Sequence, residues 1–179
     1  MIAGFFASGY SPRRCRCAAE NGNVAAALYW FDAEFRGQKF AYLYAVATHP
    51  DFRNRGLCRT LMADTAACLT ERGYDGALLM PQDSGLREMY GRMGFRDCCT
   101  VSEFACDAGA DFLLAAAPNG DSLTGMELLG SAGTAPGILG ALGFSHGRFR
   151  TPGAALPGAM FRPLRADADA PGYFGLIFD

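Results

Sequence analysis

Apolar and polar positions alternate in the first part of the chain in a pattern that predicts three antiparallel strands. The apolar runs 15–20 and 24–31 are separated by Asn21-Gly22-Asn23. An Asn-Gly pair between such runs favours a hairpin because both residues tolerate a positive φ. A second turn at residues 36–38 leads into residues 40–48, which are rich in the aromatic and β-branched side chains typical of strands.

The spacing of apolar residues then changes to a helical period. Apolar side chains in residues 56–72 fall on one stripe of a helix, and Gly73 is a natural C-terminal stop. Residues 77–80 are continuously apolar, as expected of a strand buried on both faces. A second amphipathic helix is predicted at residues 84–93, capped by Asp83 or by Ser84 itself.

Alanine and glycine dominate the chain after about residue 108. Residues 112–117 are predicted as a strand, and residues 137–142 as a helix that its glycines weaken. Residues 160–164 and 173–178 are predicted as closing strands.

This change in composition suggests a core of residues 1–107 and an Ala/Gly-rich C-terminal extension of residues 108–179. The extension is expected to complete the sheet. A degenerate half-domain is the alternative, because residues 140–144 resemble residues 91–95.

Charge and composition limit the classes of function. Half of the 179 residues are hydrophobic and the net charge is −2, so a packed core is expected and binding to nucleic acid is not. Lys39 is the only lysine, which excludes a lysine-bearing phosphate loop. No segment approaches the roughly 20 apolar residues that cross a bilayer, and residues 1–9 lack the basic start of a signal peptide. These features predict a cytoplasmic protein that does not bind membranes.

The cysteines and histidines do not predict a metal site. There are seven cysteines, an odd number, without a C-x-x-C pair, and only two histidines, His49 and His146. Reduced thiols in a cytoplasmic protein are the simpler interpretation.

The segment before the first predicted helix has the chemistry of an anion-binding site. A helix start offers unsatisfied N–H groups and the positive end of the helix dipole, and Gly56 lets an anion approach the backbone. The guanidinium groups of Arg53, Arg55 and Arg59 add charge-assisted donors for phosphate oxygens. Taken alone, the same segment is equally compatible with an exposed basic loop that caps a helix.

Two motifs in this order resemble those of the GNAT superfamily of N-acetyltransferases. The family's R/Q-x-x-G-x-G/A pattern corresponds to Arg53, Gly56 and Cys58, where the small Cys58 replaces Gly or Ala. Its N-x-x-A-x-x-L-Y-x-x-x-G-F pattern corresponds to Asp83, Leu86, Met89, Tyr90, Gly94 and Phe95. The resemblance covers residues 15–105, and the family's N-terminal helical region is short or truncated here.

The resemblance implies a fold and an activity. The fold would be α/β (α+β), with a mixed, mostly antiparallel sheet flanked by helices. The activity would be transfer of an acetyl group from acetyl-CoA, as co-substrate and without a metal, to a primary amine on a small molecule or peptide. The apolar tail offers a surface for a homodimer.

The resemblance also implies roles for individual residues. The pantetheine arm would pair with backbone groups of Val46 and Thr48, in the gap between two splayed parallel strands. Tyr90 would protonate the departing thiolate as general acid. The other residues implied to bind the cofactor are Arg53, Asn54, Arg55, Gly56, Leu57, Cys58 and Asp83.

The general base is left open by the sequence. Many family members have a glutamate on the strand before the phosphate loop, but residues 40–48 contain none. The remaining candidates are Tyr42, Tyr44, His49, Glu34 and the terminal carboxylate of Asp179. The missing glutamate also supports an alternative function, a non-catalytic acyl-CoA-binding regulatory module.

Overall fold

The computed structural model describes most of the chain and divides it into two compact units. The described residues are 11–107, 114–119, 122–128, 135–153 and 155–172. The first unit holds residues up to 96 together with 160–170, and the second holds residues 97–159 and those from 171 onward.

Eleven strands and three α-helices make up the described fold. The strands are β1 (Cys15–Glu20), β2 (Asn23–Phe35), β3 (Gln38–Thr48), β4 (Gly76–Leu79), β5 (Arg96–Asp97), β6 (Thr100–Asp107), β7 (Leu114–Asn119), β8 (Ser122–Leu128), β9 (His146–Pro152), β10 (Leu156–Pro157) and β11 (Met160–Pro163). The helices are α1 (Leu57–Glu71), α2 (Ser84–Gly91) and α3 (Ala135–Leu142), with short 3₁₀ turns at Pro12–Arg14 and Pro50–Phe52.

The predicted α+β class and the mostly antiparallel sheet are confirmed. The larger sheet has the strand order β1-β2-β3-β4-β11-β5, in which only β3 and β4 are described as a parallel pair. The first hairpin turns at Asn21 and Gly22, with φ of 53° and 78°, and the second at Arg36 and Gly37, with φ of 52° and 76°. The first turn adopts the positive φ that its Asn-Gly pair predicted, and the second adopts the same conformation at the position where a turn was predicted.

Helix α2 begins at Ser84 as predicted, α1 begins at Leu57 rather than at residue 56, and both end one or two residues early. Helix α1 stops at Glu71 and α2 at Gly91, rather than at residues 72 and 93. The chain after α2 tightens into a turn in which the Met93 N–H donates to the Tyr90 carbonyl over 2.9 Å. Gly94, at φ 89°, then reverses the chain.

Helix α1 covers one face of the sheet and closes the core of the first unit. Leu61, Met62 and Leu69 of α1 are buried in one cluster with Leu28 and Trp30 of β2. Burying each such side chain contributes about 1.5–3 kcal/mol. This packing fixes the direction in which α1 leaves the loop before it.

The indole N–H of Trp30 is a polar group within this core, and the Tyr74 hydroxyl is its hydrogen-bond acceptor. The Trp30 Nε1–H donates to the Tyr74 hydroxyl over 3.2 Å, and that hydroxyl donates to the Asp32 carboxylate. The Arg14 Nε lies 3.6 Å from the Asp32 carboxylate and forms an ion pair with it. The Lys39 ammonium lies 3.8 Å from the centre of the Tyr74 ring.

The substitution Tyr74→Phe is expected to lower the free energy of unfolding by about 1–3 kcal/mol, because it leaves the buried Trp30 N–H without an acceptor. The phenylalanine ring keeps the shape of the site and the contact with Lys39. Urea denaturation would measure the change as a lower midpoint at constant slope. An unchanged midpoint would show that this hydrogen bond does not contribute to stability.

The second unit repeats the strand pairing of the first, although its strand β6 precedes the hairpin in the chain whereas β11 of the first unit comes last. Strands β7 and β8 form an antiparallel hairpin, α3 follows, and β9 pairs in parallel with β8 and antiparallel with β6. This is the arrangement of β2, β3, α1, β4 and β11 in the first unit.

The ends of the corresponding helices also agree in detail. The Tyr74 N–H donates to the Leu69 carbonyl over 3.0 Å after α1, and the Phe144 N–H donates to the Leu139 carbonyl over 2.8 Å after α3. Both leucines are fully buried. A degenerate half-domain stays a prediction, and the shared strand pairing is in line with it.

Several predictions for the second half need adjustment. The strand predicted at residues 112–117 is described as β7, Leu114–Asn119, and the helix predicted at 137–142 begins at Ala135. Strands β6, β8 and β9 were not predicted. The strand predicted at residues 173–178 lies outside the described residues.

Candidate active site

Strands β3 and β4 separate shortly after they meet. Their ladder joins Phe40, Ala41 and Tyr42 to residues 76–78 and ends there, whereas β3 continues to Thr48. The carboxyl-terminal half of β3 therefore borders a gap in the sheet, as the resemblance implied.

A β-bulge bends β3 at the point where the gap opens. Ala27 lies opposite Ala47 but Tyr29 lies opposite Tyr44, so β3 carries one residue more than β2 in this interval. Ala45 takes up the difference with a φ of 51°, which is unusual for alanine. Bulges bend a strand and re-aim its backbone groups, so this one turns the end of β3 away from the β4 direction.

The loop after β3 places the first turn of α1 beside the gap between β3 and β4. Asn54 and Gly56 have φ of 61° and 78°, and α1 begins at the next residue, Leu57. No side chain in the described structure caps α1, and its first turn contains no acidic residue. The N–H groups of this turn and the positive end of the helix dipole thus remain available to an anion.

These elements enclose a cleft of about 550 Å³. The loop and the start of α1 provide its polar wall, with the guanidinium groups of Arg53 and Arg59. Leu86 and Met89 of helix α2, with Met93 in the turn after it, provide the apolar wall. The cleft thus combines an anion-binding end with an apolar channel.

Most of the predicted site residues line this cleft. Those that do are Val46, Thr48, Arg53, Asn54, Gly56, Leu57, Cys58 and Tyr90. Arg55 and Asp83 are not part of the lining that the structure describes.

The Arg55 side chain instead contacts the loop before α1 and the end of β1. One of its amino groups donates to the Asp51 carbonyl over 3.0 Å, the other lies 3.4 Å from the Glu20 carboxylate, and the guanidinium stacks 5.2 Å from the centre of the Phe52 ring. Asp83 caps α2, where its Oδ1 accepts from the Leu86 N–H over 2.7 Å. Both residues therefore shape the site, and contact with a cofactor stays a prediction for each.

Several cleft residues were absent from the predicted set. Leu86, Met89 and Met93 had been assigned only to the buried face of a helix. The same apolar stripe serves the core and the cleft, so its helical spacing alone does not distinguish the two. Phe52 and Ala47 carried no separate signal, whereas Arg59 had already been predicted as a donor for phosphate oxygens.

Tyr90 is the titratable side chain most deeply buried in the cleft. It is 6% exposed, and its ring meets the Phe95 ring edge-on with centres 5.9 Å apart. Its hydroxyl makes no hydrogen bond within the described part of the chain. Burial, with a smaller effect from nearby Cys58, raises the pKa of Tyr90 to about 12. The side chain is therefore a neutral phenol that can donate a proton into the cleft.

None of the described candidates for a general base lines the cleft. The His49 Nδ1 accepts from the Asp51 N–H over 3.4 Å, and its ring packs against Phe52. Glu34 lies opposite Lys39 beside a hairpin turn. The other candidates are Tyr42 and Tyr44, whose rings contact Phe31, and Asp179, which lies outside the described residues.

The described residues lack two further features, a metal site and a membrane-spanning helix. They contain no group of three or more His, Cys, Asp or Glu side chains that could hold a metal ion. They also contain no helix with the length and apolar character needed to cross a membrane.

The fold is that of solved N-acetyltransferases. A GCN5-related N-acetyltransferase from Anabaena variabilis superposes with a TM-score of 0.65 at 10% identity, over 91% of this chain and 66% of that one. A GCN5-related N-acetyltransferase from Kribbella flavida superposes with a TM-score of 0.59 at 12% identity, over 84% of this chain and 60% of that one. Eis1 from Mycobacterium abscessus superposes with a TM-score of 0.55 at 11% identity, over 84% of this chain and 64% of that one. The chain thus spans 60–66% of the length of these three structures.

The family follows from the sequence of the first unit. Residues 2–98, more than half of the 179, match the model of the acetyltransferase (GNAT) domain. The chain therefore belongs to the GNAT family of acetyltransferases, as the two motifs predicted. A search of the curated proteins found no match.

Proposed function

We propose that the protein transfers an acetyl group from acetyl-CoA to a primary amine by direct attack. The observation that carries this proposal is the cleft itself, which joins an anion-binding helix start to a buried, neutral phenol. The acceptor would be a small-molecule or peptide amine.

The cofactor would lie along the cleft with its pyrophosphate at the start of α1. The free N–H groups of the first turn and the guanidinium groups of Arg53 and Arg59 supply donors for the phosphate oxygens. The pantetheine arm would then follow the bulged end of β3, where it would pair with backbone groups of Val46 and Thr48. The separation of β3 from β4 supports this placement because it leaves room for one extended chain.

In the reaction, the neutral amine nitrogen would attack the thioester carbonyl carbon, and the carbon–sulfur bond would break as the tetrahedral intermediate collapses. The departing thiolate has a pKa of about 8.5 in water. The Tyr90 phenol, with a pKa of about 12, is the weaker acid, so donation depends on the dry cleft, which destabilises the thiolate as well. The resulting phenolate would recover its proton from the protonated nitrogen of the newly formed amide, which leaves as the neutral product.

A non-catalytic acyl-CoA-binding module is the second candidate. The observation that favours it is the absence of a general base among the described residues of the cleft lining. Such a module would bind acetyl-CoA by the same contacts and would not accelerate thioester cleavage by any amine.

Two measurements on the full chain separate these functions. Titration calorimetry with acetyl-CoA should show binding, and the substitution Arg53→Gln should weaken it by at least about tenfold because a charge-assisted phosphate contact is worth about 1.5–3 kcal/mol. Arg92→Gln is the matched control, since Arg92 lies outside the cleft lining and pairs with Glu88 at 3.4 Å.

Release of the CoA thiol in the presence of a panel of amines then tests turnover. Amine-dependent release supports the enzyme, and binding without release from any amine supports the module. If acetyl-CoA does not bind, both functions are wrong. If it binds but the two arginine variants lose affinity equally, the placement of the pyrophosphate at Arg53 is wrong.

A further inference from the structure

Phe52 is an aromatic residue at the cation-rich end of the cleft. It lines the cleft beside Arg53 and is half-buried. Among the described residues, it is neither in the core cluster of the first unit nor among the apolar side chains packed against that cluster. The packing of the first unit therefore does not explain why an aromatic ring stands at this position.

The Phe52 ring is held in place by its neighbours in the loop. The Phe52 N–H donates to the His49 carbonyl over 2.9 Å, and the two rings lie with their centres 5.7 Å apart. The Arg55 guanidinium lies 5.2 Å from the centre of the Phe52 ring, and its contacts with Asp51 and Glu20 fix it there. Neither His49 nor Arg55 belongs to the described cleft lining, whereas Phe52 does, so part of the ring surface is open to the cleft.

We propose that the adenine ring of acyl-CoA stacks on Phe52. This inference rests on the proposed function and deepens it, because it assigns a binding site to the nucleotide half of the donor. In CoA the adenosine is joined to the pantetheine arm through the pyrophosphate, so the base must lie beside the loop that binds the pyrophosphate. Phe52 directly precedes Arg53, whose guanidinium is expected to bind that group. A rigidly held aromatic ring next to phosphate donors is suited to bind a nucleotide base by stacking.

Stacking on Phe52 would make the protein select acyl-CoA over thioesters that carry only phosphopantetheine. Such thioesters offer a phosphate to the same helix start and the same arm to β3, but they have no base for the ring. Because the ring is already held in place, little conformational freedom is lost when a base binds to it. The donor class is therefore free acyl-CoA rather than acyl-phosphopantetheine on a carrier.

Binding measurements on the full chain test this proposal with the variant Phe52→Leu, which keeps an apolar side chain but lacks an aromatic face. Titration calorimetry should show that Phe52→Leu weakens the binding of acetyl-CoA and of adenosine 3′,5′-bisphosphate by about tenfold each, or 1.4 kcal/mol. Displacement of acetyl-CoA by acetyl-4′-phosphopantetheine should give the same affinity of that base-free donor for wild type and variant. Phe52→Tyr should restore the binding of both adenine ligands, because it keeps the aromatic face.

Phe35→Leu is the matched control. Phe35 is another half-buried phenylalanine with a guanidinium, that of Arg36, 5.1 Å from its ring centre. It lies beside a hairpin turn and outside the described cleft lining. This variant should bind all three ligands as wild type does.

The proposal is wrong if wild type does not bind adenosine 3′,5′-bisphosphate, or if Phe52→Leu binds acetyl-CoA as tightly as wild type does. It is also wrong if Phe52→Leu weakens acetyl-4′-phosphopantetheine by the same factor, since the ring would then act on the loop rather than on the base. Failure of the proposed function has a different signature. Wild type would then bind no acetyl-CoA, whereas failure of the stacking proposal leaves that binding intact and independent of Phe52.

Discussion

Replacing Tyr90 with phenylalanine is expected to lower kcat about 10²–10⁴-fold, the usual contribution of a general acid. The acetyl-CoA affinity and the stability should change little. The phenylalanine ring keeps the edge-on contact with Phe95, and the lost hydroxyl has no hydrogen bond within the described structure. Thiol release at saturating acetyl-CoA measures the rate, and calorimetry measures the affinity.

The pH dependence sharpens this prediction. Since burial raises the pKa of Tyr90 to about 12, the phenol stays protonated below the ordinary tyrosine value of about 10. The difference in kcat between wild type and Tyr90→Phe should therefore persist at mildly alkaline pH and vanish only as the pH approaches 12.

Tyr74→Phe is the matched control for Tyr90→Phe, because it removes another buried phenol outside the cleft. It should lower stability and leave kcat unchanged, the reverse of the Tyr90 variant. If Tyr90→Phe turns over like wild type, the general acid is another group and the assignment of Tyr90 is wrong.

The substitution Gly56→Ala is expected to weaken acetyl-CoA binding by at least about tenfold, or 1.4 kcal/mol. At φ 78°, an alanine costs about 1–2 kcal/mol in backbone conformation. A Cβ at this position meets no protein atom within 4 Å, so the added methyl group clashes with nothing in the free protein. It would project instead beside the N–H groups that are expected to hold the pyrophosphate.

Gly37→Ala is the control that separates the loss of stability caused by alanine at a positive φ from the loss of acetyl-CoA affinity caused by the added methyl group. Gly37 has nearly the same φ, 76°, and the same empty surroundings, but it lies in a hairpin turn outside the cleft. Thermal denaturation should show similar losses of stability in the two variants, and calorimetry should show a loss of affinity in Gly56→Ala alone. An equal effect on affinity would mean that Gly56 acts only through the backbone.

Local sequence was sufficient to predict the first unit because its signals act over short distances. Asn21-Gly22 sets a turn by its own φ preferences, and the stripe on α1 follows from helical geometry alone. Gly56 and Tyr90 were identifiable because their motifs combine a fixed spacing with a chemistry that needs those residue types.

Features that depend on distant partners were not predictable in this way. The bulge at Ala45 arises from the register between β2 and β3, and alanine gives no local sign of a positive φ. The contact of Arg55 with Glu20, which is 35 positions earlier in the chain, also has no local signal in the sequence. In the second unit, strands β6, β8 and β9 were missed.

The separation of β3 from β4 places an open edge in the interior of a sheet rather than at its rim. Under the proposed function, the pantetheine arm takes the place of a strand in this gap. Acyl-CoA then binds only the folded protein, so its binding shifts the folding equilibrium toward the native state. Acyl-CoA at about 100 times its Kd would stabilise the native state by about 2.7 kcal/mol. The cellular supply of acyl-CoA would then govern how much of the chain survives proteolysis, as well as how fast it works.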